Sequence, residues 1–326
     1  MAISRSFFFT LREIMRFVII GPGALGCLFA ASISADHKHE VWILDHNRER
    51  AELLDKNGLS LQDGSDEKIC PIRATVNAAE IPTAHCILLC VKSHQVQAAI
   101  EQNNALFQTV PLTIALQNGI GHLETLAELL PNGKWSVGIT AQGANLLEPG
   151  RVRHGGNGLT SLGFLDTPSP VAKKNLQQIA TALTEAHIET VIEQDIRSKI
   201  WQKLLVNVGI NALTAIHNCA NGELLNSENT RHRMHMAIAE GAAVAEALGV
   251  NLDHDPISLA MKICQDTGKN ISSMLQDVRH QRRTEIDAIN NAIVHQGHRL
   301  DIAVPENEAL VQEIRELENG YITDSA

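Results

Sequence analysis

Residues 16–45 read RFVIIGPGALGCLFAASISADHKHEVWILD, and this stretch decides the fold. A short apolar run leads directly into the pattern G-x-G-x-x-G, whose glycines are Gly21, Gly23 and Gly26. An apolar, helix-compatible segment follows, and a second apolar run closes at Asp45. Strand, glycine turn, helix and strand within about 30 residues form a βαβ unit.

The glycine turn predicts a dinucleotide-binding site, because each glycine meets a separate steric demand. Gly21 permits the tight turn, Gly23 lets the backbone approach a pyrophosphate, and Gly26 lets the helix pack closely against the strand. The start of the helix offers free N–H groups and a positive dipole end to the anion. A glycine-rich turn without a ligand is the alternative. The residues expected at the cofactor in this turn are Gly21, Pro22, Gly23, Ala24, Leu25 and Gly26.

The end of the second strand leaves the choice of dinucleotide open. Asp45 stands 19 residues after Gly26, where a carboxylate commonly bonds the ribose 2′-hydroxyl of NAD and repels the 2′-phosphate of NADP. Arg48 and Arg50 follow within one turn, and arginine is the residue that accommodates that phosphate. Another interpretation places both arginines on a solvated helix face.

Length and composition are those of a globular protein with two domains. The chain has 326 residues, of which 44% are hydrophobic and 20% charged, and a domain commonly holds about 100–200 residues. A net charge of −10 and an aromatic content of 3% argue against nucleic-acid binding, which needs clustered Lys and Arg or stacking aromatics. No apolar run reaches the roughly 20 residues that cross a bilayer. We therefore expect no nucleic-acid or membrane partner.

The rare residue types argue against two further chemistries. The single tyrosine, Tyr321, lies near the C-terminus, whereas short-chain dehydrogenase chemistry needs a mid-chain tyrosine followed four residues later by lysine. The six cysteines form no C-x-x-C pair. We expect reduced thiols in a cytoplasmic protein, and no metal site.

The order of predicted elements indicates an α/β domain followed by a helical one. Strand-like runs alternate with helical stretches in the first 130 residues, which predicts a mostly parallel, doubly wound sheet. Glycine-rich turns between 135 and 165 predict antiparallel hairpins closing this domain. The strand-like runs lie at 69–75, 86–91 and 112–116, and later apolar periodicity of 3.6 predicts helices near 195–218, 229–249, 256–265, 272–299 and 306–319.

The predicted domains follow from this change of pattern. Residues 15–192 form a Rossmann-type dinucleotide-binding domain, and residues 193–326 form an all-helical substrate and catalytic domain. Residues 1–14 belong to neither domain, and we interpret them as an unstructured extension or as the result of a start upstream of the true one at Met15. The apolar patch at 7–9 is too short for the core of a signal peptide.

A polar stripe marks one helix of the second domain. The segment 201–211 reads WQKLLVNVGIN and is apolar on several sides, which predicts burial. Lys203, Asn207 and Asn211 recur at every fourth position and so share one face. Buried polar groups need partners, so these side chains either pair with the backbone of neighbouring helices or line a polar cleft. The cost of burying an unpaired lysine favours the cleft.

The second half of the chain resembles the ketopantoate reductases (2-dehydropantoate 2-reductases). The resemblance rests mainly on WQKLLVNVGINALTAI at 201–216 with NCANGEL at 218–224, and on NISSMLQD at 270–277 leading to TEID at 284–287. Smaller matches are VK at 91–92, QNG at 117–119 and VPEN at 304–307. The resemblance covers residues 16–320 and implies an N-terminal Rossmann domain with an all-helical C-terminal domain. It also implies reduction of 2-dehydropantoate to (R)-pantoate with NADPH, on the route to pantothenate and coenzyme A.

The resemblance also implies roles for individual residues. Lys203 matches the general acid, which suits a reaction that forms an alkoxide beside an ammonium group. Glu285 matches a carboxylate near substrate and cofactor, although from this sequence alone it reads as a solvated glutamate paired with Arg282 or Arg283. Residues matched to the cofactor are Lys92, Asn118 and, through its backbone, Ala144. Residues matched to substrate oxygens are Asn118, Asn207, Asn211, Asn221, Asn270 and Ser273.

One position departs from the family pattern and leaves NAD(H) as an alternative to NADP(H). Family members that prefer NADPH often place arginine where the second strand ends, and this chain has Asp45 there. Two rival functions stay open beside the ketopantoate reductase. One is a related reductase of another branched 2-keto acid, and the other is a non-catalytic nicotinamide-sensing module, which would be expected to lack the Lys, Asn and Glu set. The expected partner is a small 2-keto acid, and the chain is expected to be a monomer or homodimer.

Overall fold

The computed structural model describes residues 14–35 and 39–322 of the chain. The predicted N-terminal extension therefore lies outside the described residues, apart from the exposed Ile14. None of the helices in the described part is both long and apolar enough to cross a membrane. The six cysteines are free thiols.

Twelve strands are present in the described ranges. They are β1 Arg16–Ile20, β2 Glu40–Leu44, β3 Leu59–Asp63, β4 Asp66–Cys70, β5 Arg73–Thr75, β6 Cys86–Leu89, β7 Leu112–Ala115, β8 Trp135–Thr140, β9 Gly143–Glu148, β10 Arg151–Gly156, β11 Thr160–Gly163 and β12 Thr190–Ile192.

Twelve α-helices accompany them in the same ranges. They are α1 Ala24–Ser34, α2 Arg48–Asn57, α3 Val96–Gln102, α4 Asn104–Thr109, α5 Leu123–Leu129, α6 Pro170–Glu185, α7 Ile196–His217, α8 Glu228–Ala247, α9 Pro256–Asp266, α10 Ser273–Arg279, α11 Asn290–Arg299 and α12 Pro305–Asn319.

The main sheet has the strand order of a dinucleotide-binding fold. Its order is β12-β11-β8-β7-β6-β1-β2-β5, and the strands from β5 to β8 pair in parallel. Numbered along the chain, these parallel strands run 3-2-1-4-5-6, so the order reverses between β1 and β6. Ligands of such sheets bind at the carboxyl ends of the strands beside this reversal. The predicted α/β class with a parallel sheet is confirmed.

A second, smaller sheet explains the glycine-rich region near 150. Its order is β4-β3-β10-β9, and it packs beside α1. The strands β9 and β10 form an antiparallel hairpin, whereas β10 pairs in parallel with β3. The strands β8 and β11 instead extend the main sheet as an antiparallel pair. The expected hairpin material is thus divided between two sheets.

Two predicted elements are broken in the structure. The run at 69–75 divides into β4 and β5 around Pro71, because proline has no N–H to donate to a ladder. The helix expected over 272–299 divides into α10 and α11. The connecting residues 280–289 include Gln281, which has a φ of +53°, a left-handed conformation that interrupts a helix. This break places Glu285 in a connection rather than on a helix face.

The helix α7 joins two hydrophobic cores. Its first residues, Ile196 and Ile200, are buried in a core cluster of the main sheet. From Trp201 onward its apolar side chains belong to the core formed with the C-terminal helices. Asp195 caps the helix by accepting a hydrogen bond from the backbone N–H of Ser198 at 3.1 Å. One continuous helix therefore passes from the sheet into the helical region.

Candidate active site

The glycine turn connects the carboxyl end of β1 to α1, and its three glycines differ in how much room a side chain would have. Gly21 has a φ of +97°, and a Cβ built on it would lie 2.5 Å from the backbone nitrogen of Val91. A Cβ on Gly26 would lie 2.2 Å from the carbonyl oxygen of Gly21. A Cβ on Gly23 would meet no atom within 4 Å. The outer glycines are therefore required by the protein's own packing, whereas Gly23 faces open space.

The start of α1 fits a pyrophosphate. Gly23 occupies the capping position, and no side chain caps the helix. The N–H groups of the first turn are free of intrahelical partners by the geometry of any helix. Because α1 carries no acidic residue in its first turn, its positive dipole end is not offset by a carboxylate of its own. The residues present fit an anionic dinucleotide at this end.

Asp45 follows β2, and its carboxylate is paired with Arg50. Its carboxylate accepts two hydrogen bonds from the Arg50 guanidinium, at 2.6 and 2.7 Å, and one from the backbone N–H of Asn47 at 3.0 Å. The Asp45 side chain is fully buried, while Arg50 keeps 29% of its side chain exposed. The interpretation that both arginines are merely solvated is wrong for Arg50, while Arg48 is exposed.

Lys203 lies on α7 where the helix passes the carboxyl end of β8. Its ammonium group donates a hydrogen bond to the carbonyl oxygen of Thr140, the last residue of β8, at 3.1 Å. Burial lowers the pKa of Lys203 to about 8, although the negative charge of Glu285 opposes this shift. An ammonium has three N–H bonds, so it has donors left for a substrate oxygen.

The asparagines of the C-terminal region differ in how they are satisfied. Asn211 is buried, and its side-chain Nδ2 has no hydrogen-bond partner in the described part of the chain. Asn221 is buried and donates to the Thr267 hydroxyl at 2.9 Å, while its Oδ1 has no partner there. Buried polar atoms are normally paired. These two atoms have no partner among the described residues and are therefore available to a ligand.

The remaining predicted substrate residues are more open. Asn207 is half-buried on α7, and Asn270 and Ser273 are exposed. The backbone N–H of Asn221 donates to the carbonyl oxygen of Asn270 at 3.0 Å, which joins two of the predicted segments. Ser272 rather than Ser273 caps α10, and its hydroxyl accepts a hydrogen bond from Thr214 of α7 at 2.7 Å. The segment before α10 is thereby held against the helix that carries Lys203.

Glu285 connects the helical C-terminal region to the carboxyl edge of the main sheet. Its carboxylate accepts hydrogen bonds from the backbone N–H of Ser93 and from Asn118, both at 3.2 Å, and lies 3.5 Å from the Lys92 ammonium. Asn118 and Lys92 follow β7 and β6, so they lie at the carboxyl edge of the main sheet. Only 6% of the Glu285 side chain is exposed. The solvated pairing of Glu285 with Arg282 or Arg283 is therefore wrong, and Arg283 instead pairs with Asp287.

Asp277 contacts Lys92, although nothing in its sequence context indicated a role for it. Its carboxylate accepts a hydrogen bond from Lys92 at 2.6 Å, and its other oxygen lies 3.2 Å from Arg282. The side chain is 2% exposed. Burial lowers the pKa of Lys92, but the charges of Glu285 and Asp277 outweigh this and raise it. The lysine is therefore an ammonium, bound between two carboxylates of the C-terminal domain.

Ala144 lies in the second sheet, away from the cluster around Glu285. It belongs to β9 opposite His154 and packs against the core beside α1. Lys92, Asn118 and Glu285 instead lie together at the carboxyl edge of the main sheet. No group of three or more His, Cys, Asp or Glu among the described residues is placed to hold a metal ion.

The fold and the contacts around Glu285 define a protein of the dinucleotide-binding class, with a Rossmann-type sheet and a helical C-terminal region. Residues 17–167 match the profile of the family "Ketopantoate reductase PanE/ApbA", and residues 195–318 match that of its C-terminal domain. The chain therefore belongs to the ketopantoate reductase family.

Curated relatives and solved structures agree with this membership. The chain is 33% identical to the 2-dehydropantoate 2-reductase of Halobacterium salinarum, over 92% of this chain and 98% of the relative. It is 32% identical to that of Vibrio cholerae, over 94% and 99%. Among solved structures, a ketopantoate reductase from Ralstonia eutropha has a TM-score of 0.83 at 29% identity, covering 94% of this chain and 99% of that one. A D-mandelate dehydrogenase solved with NADH and anilino(oxo)acetate has a TM-score of 0.84 at 26% identity, with the same coverage.

Proposed function

We propose that the protein is a 2-dehydropantoate 2-reductase, which reduces 2-dehydropantoate to (R)-pantoate for pantothenate and coenzyme A biosynthesis. Family membership and the names of the curated relatives support this substrate over another branched 2-keto acid. The presence of Lys203, Asn211 and Glu285 in the chain argues against a sensor that has lost its chemistry. The observation that carries the proposal is the half-buried Lys203 ammonium at the carboxyl edge of a Rossmann sheet.

Lys203 is proposed as the general acid. A bound nicotinamide dinucleotide supplies the electron pair and the hydrogen that reduce the keto carbon. The substrate's keto oxygen then gains negative charge, which the Lys203 ammonium stabilises before it transfers a proton to that oxygen. A pKa of about 8 keeps the lysine mostly protonated at pH 7 and makes it a stronger acid than an ordinary lysine. The product is the 2-hydroxy acid, and the neutral amine regains its proton from solvent.

The amide groups are proposed to hold the substrate. The unpartnered Nδ2 of Asn211 is a donor without charge, suited to a carboxylate or hydroxyl oxygen. The free Oδ1 of Asn221 is an acceptor, suited to the hydroxyl of the substrate. Asn207, Asn270 and Ser273 are proposed to complete this set. Glu285 orients Asn118 and Lys92 on the cofactor side.

NADP(H) is proposed as the preferred cofactor, with Arg50 as the residue that selects it. Asp45 is buried and holds the Arg50 guanidinium through two hydrogen bonds, so its charge is already matched. Arg50 remains partly exposed beside the end of β2, where the 2′-position of a dinucleotide lies in this fold. Asp45 thus positions a phosphate-binding group, whereas in an NAD-specific protein it would bind the ribose itself.

The substrate is tested by following 340-nm absorbance with 2-dehydropantoate and with either NADPH or NADH. We expect oxidation of NADPH with 2-dehydropantoate and at least about tenfold lower kcat/KM with 2-ketoisovalerate or phenylglyoxylate, because a substrate that leaves buried polar groups unpaired is rejected. Preference for one of these other acids would identify a related reductase. A lack of oxidation with any substrate and cofactor would refute the proposal.

The cofactor assignment is tested by nucleotide binding to Arg50→Ala, with Arg48→Ala as the matched control. We expect the Kd for NADPH to rise about 10-fold or more in Arg50→Ala, the scale of a charge-assisted contact, and the Kd for NADH to stay within about threefold. Arg48 makes no contact with Asp45, so its variant should behave as the wild type. Asp45→Ala should also weaken NADPH binding. Improved NADPH binding in Asp45→Ala would show that the carboxylate faces the 2′-position.

A biosynthetic reductase of this family is expected to work in the cytoplasm, as a monomer or homodimer. Light scattering of the purified protein distinguishes the two assembly states.

A further inference from the structure

We infer that Asp277 is a positioning residue that docks α10 onto Lys92 and thereby couples substrate binding to cofactor binding. The inference deepens the proposed function, because it assigns to the same cleft a residue that touches neither the keto oxygen nor the turn at Gly23. It rests on three contacts of α10 and its flanking residues.

The first contact joins α10 to the Rossmann domain. Asp277 and Lys92 are 185 residues apart in sequence, and their side chains meet at 2.6 Å. The Asp277 side chain is 2% exposed, while that of Lys92 is 35% exposed. A buried carboxylate is costly unless it is paired, so the C-terminal domain is most stable when Lys92 is in place.

The second contact joins the start of α10 to α7. Thr214 is fully buried and donates a hydrogen bond to Ser272, which caps α10. Because α10 has only 7 residues, a displacement at Asp277 moves Ser272 and the preceding Asn270 as well. The segment that carries proposed substrate ligands is thus attached at one end to α7 and at the other to Lys92.

The third contact places Glu285 on the same cation. Arg282 approaches the second oxygen of Asp277, at 3.2 Å, and the chain then turns to bring Glu285 to Lys92 and Ser93. The lysine therefore receives two carboxylates from the C-terminal domain at once. Because Asp277 is the nearer partner of Lys92, Glu285 lies 3.5 Å from that lysine. The Glu285 carboxylate also accepts a hydrogen bond from Asn118.

Coupling follows from this arrangement. A nucleotide bound at the carboxyl edge of the sheet orders Lys92, and an ordered Lys92 holds α10 and Asn270 in position for the substrate. By linkage, a substrate or product that orders α10 strengthens nucleotide binding by the same factor. Removing the charge of Asp277 breaks this link while leaving the glycine turn and Lys203 untouched.

The experiment compares Asp277→Asn with Asp287→Asn as the matched control. Asp287 is a carboxylate of the neighbouring 280–289 connection, and among the described residues its charge pairs with Arg283 and Arg315 rather than with Lys92. The Kd for NADPH is measured by its fluorescence with and without saturating pantoate. In wild type and Asp287→Asn we expect pantoate to tighten NADPH binding. In Asp277→Asn we expect this factor to fall about 10-fold, within the usual range of coupling energies, while the Kd for NADPH alone changes less than about threefold.

Two further variants separate positioning from general damage. Asp277→Glu keeps the charge and should restore at least part of the coupling. In a Lys92→Gln background, Asp277→Asn should change the coupling no further, because the contact is already lost. Wild-type coupling in Asp277→Asn, or an equal loss in Asp287→Asn, would overturn the inference.

A ligand-free measurement keeps the inference separate from the proposed substrate. The Ser93 amide is bound by Glu285, so amide hydrogen exchange of residues 92–95 reports docking without any ligand. We expect faster exchange there in Asp277→Asn and not in Asp287→Asn. If pantoate left NADPH binding of the wild type unchanged, the coupling would be overturned, whereas a failure of pantoate to bind the wild type at all would count against the proposed substrate. Unchanged exchange in Asp277→Asn would overturn the docking itself.

Discussion

The glycine turn and the polar stripe of α7 are built in opposite ways. At the turn, no side chain caps α1 and the space beside Gly23 is open, as a ligand held by backbone N–H groups would require. On α7, the protein inserts polar side chains into a buried helix and leaves one of their atoms, Nδ2 of Asn211, without a partner. We therefore expect ligand binding at the turn to depend on shape, and ligand binding at the stripe to depend on unpaired polar groups and charge. Substitution of Gly23 or of the unpaired Asn211 should therefore change function without lowering stability, whereas substitution of the tightly packed Gly26 should lower stability.

The largest expected effect is on catalysis at the stripe. Lys203→Met should lower kcat by about 10²–10⁴, the scale of losing a general acid. Lys199→Met is the control, because Lys199 lies one turn earlier on α7 and pairs with Asp253 on the surface. In the wild type, kcat/KM for reduction should fall as pH rises through about 8, where Lys203 loses its proton. Steady-state rates across pH test both statements, and near-normal turnover of Lys203→Met would place the acid elsewhere.

The next effect concerns the unpaired amide of Asn211. Asn211→Leu keeps the approximate shape but removes the donor, so KM for 2-dehydropantoate should rise about 10–100-fold. Its thermal stability should not fall, because a buried unsatisfied group is removed. Thr214→Val makes the contrast, since Thr214 is fully satisfied on the same helix and its loss should lower stability. A destabilised Asn211→Leu with unchanged KM would show that Asn211 is structural.

A smaller effect is expected from alanine substitutions in the glycine turn, where Gly23 and Gly26 should respond differently. Gly23→Ala should fold with normal stability, because its Cβ meets nothing, and should raise the Kd for NADPH about 10-fold by blocking the pyrophosphate. Gly26→Ala places its Cβ 2.2 Å from the Gly21 carbonyl oxygen, so it should lower the melting temperature. Thermal melts and nucleotide titrations measure the pair, and equal behaviour of the two variants would contradict this division.

The smallest effect is a pH dependence of stability. The pKa of Lys203 falls to about 8 in the folded protein, so below pH 8 folding buries a charge. At pH 7, Lys203→Met should therefore be more stable than the wild type, because methionine has no charge to bury. Between pH 8 and about 10.5, only the unfolded chain keeps the proton, so the wild type gains stability with rising pH. Denaturant unfolding across this range tests it, and a gap that widens with pH would show the opposite shift.

Much of the fold was predictable because its signals are local. The glycine turn, the strands around it and the long helices are specified by residues within a few turns of one another. Two breaks escaped because each depends on a single residue inside an apolar run. Pro71 divides a predicted strand, and the left-handed Gln281 lies where one helix ends before the next begins.

The candidate site was harder to predict, because its contacts cross the domains. Lys203 and Asn211 could be found from their spacing on one helix. Asp277 lies in the quoted motif, but nothing local distinguishes its carboxylate from a solvated one, and its partner is 185 residues away. The Asp45–Arg50 pair was missed for a related reason. The sequence shows two arginines beside an aspartate, but only the structure shows which of them turns back to it.

Because α7 passes through both cores, a tilt of this helix relative to the sheet would pivot near Lys203. Ile200 is packed in the sheet's core and Leu204 in the helical core, and Lys203 lies between them, hydrogen-bonded to β8. At a rise of about 1.5 Å per residue, Asn211 is about 12 Å further along the axis. A tilt of about 10° around Lys203 would move Asn211 by about 2 Å and would hardly move Lys203 itself. Such a tilt would leave the proposed proton donor in register with the sheet while it moved the end of the helix that carries Asn211.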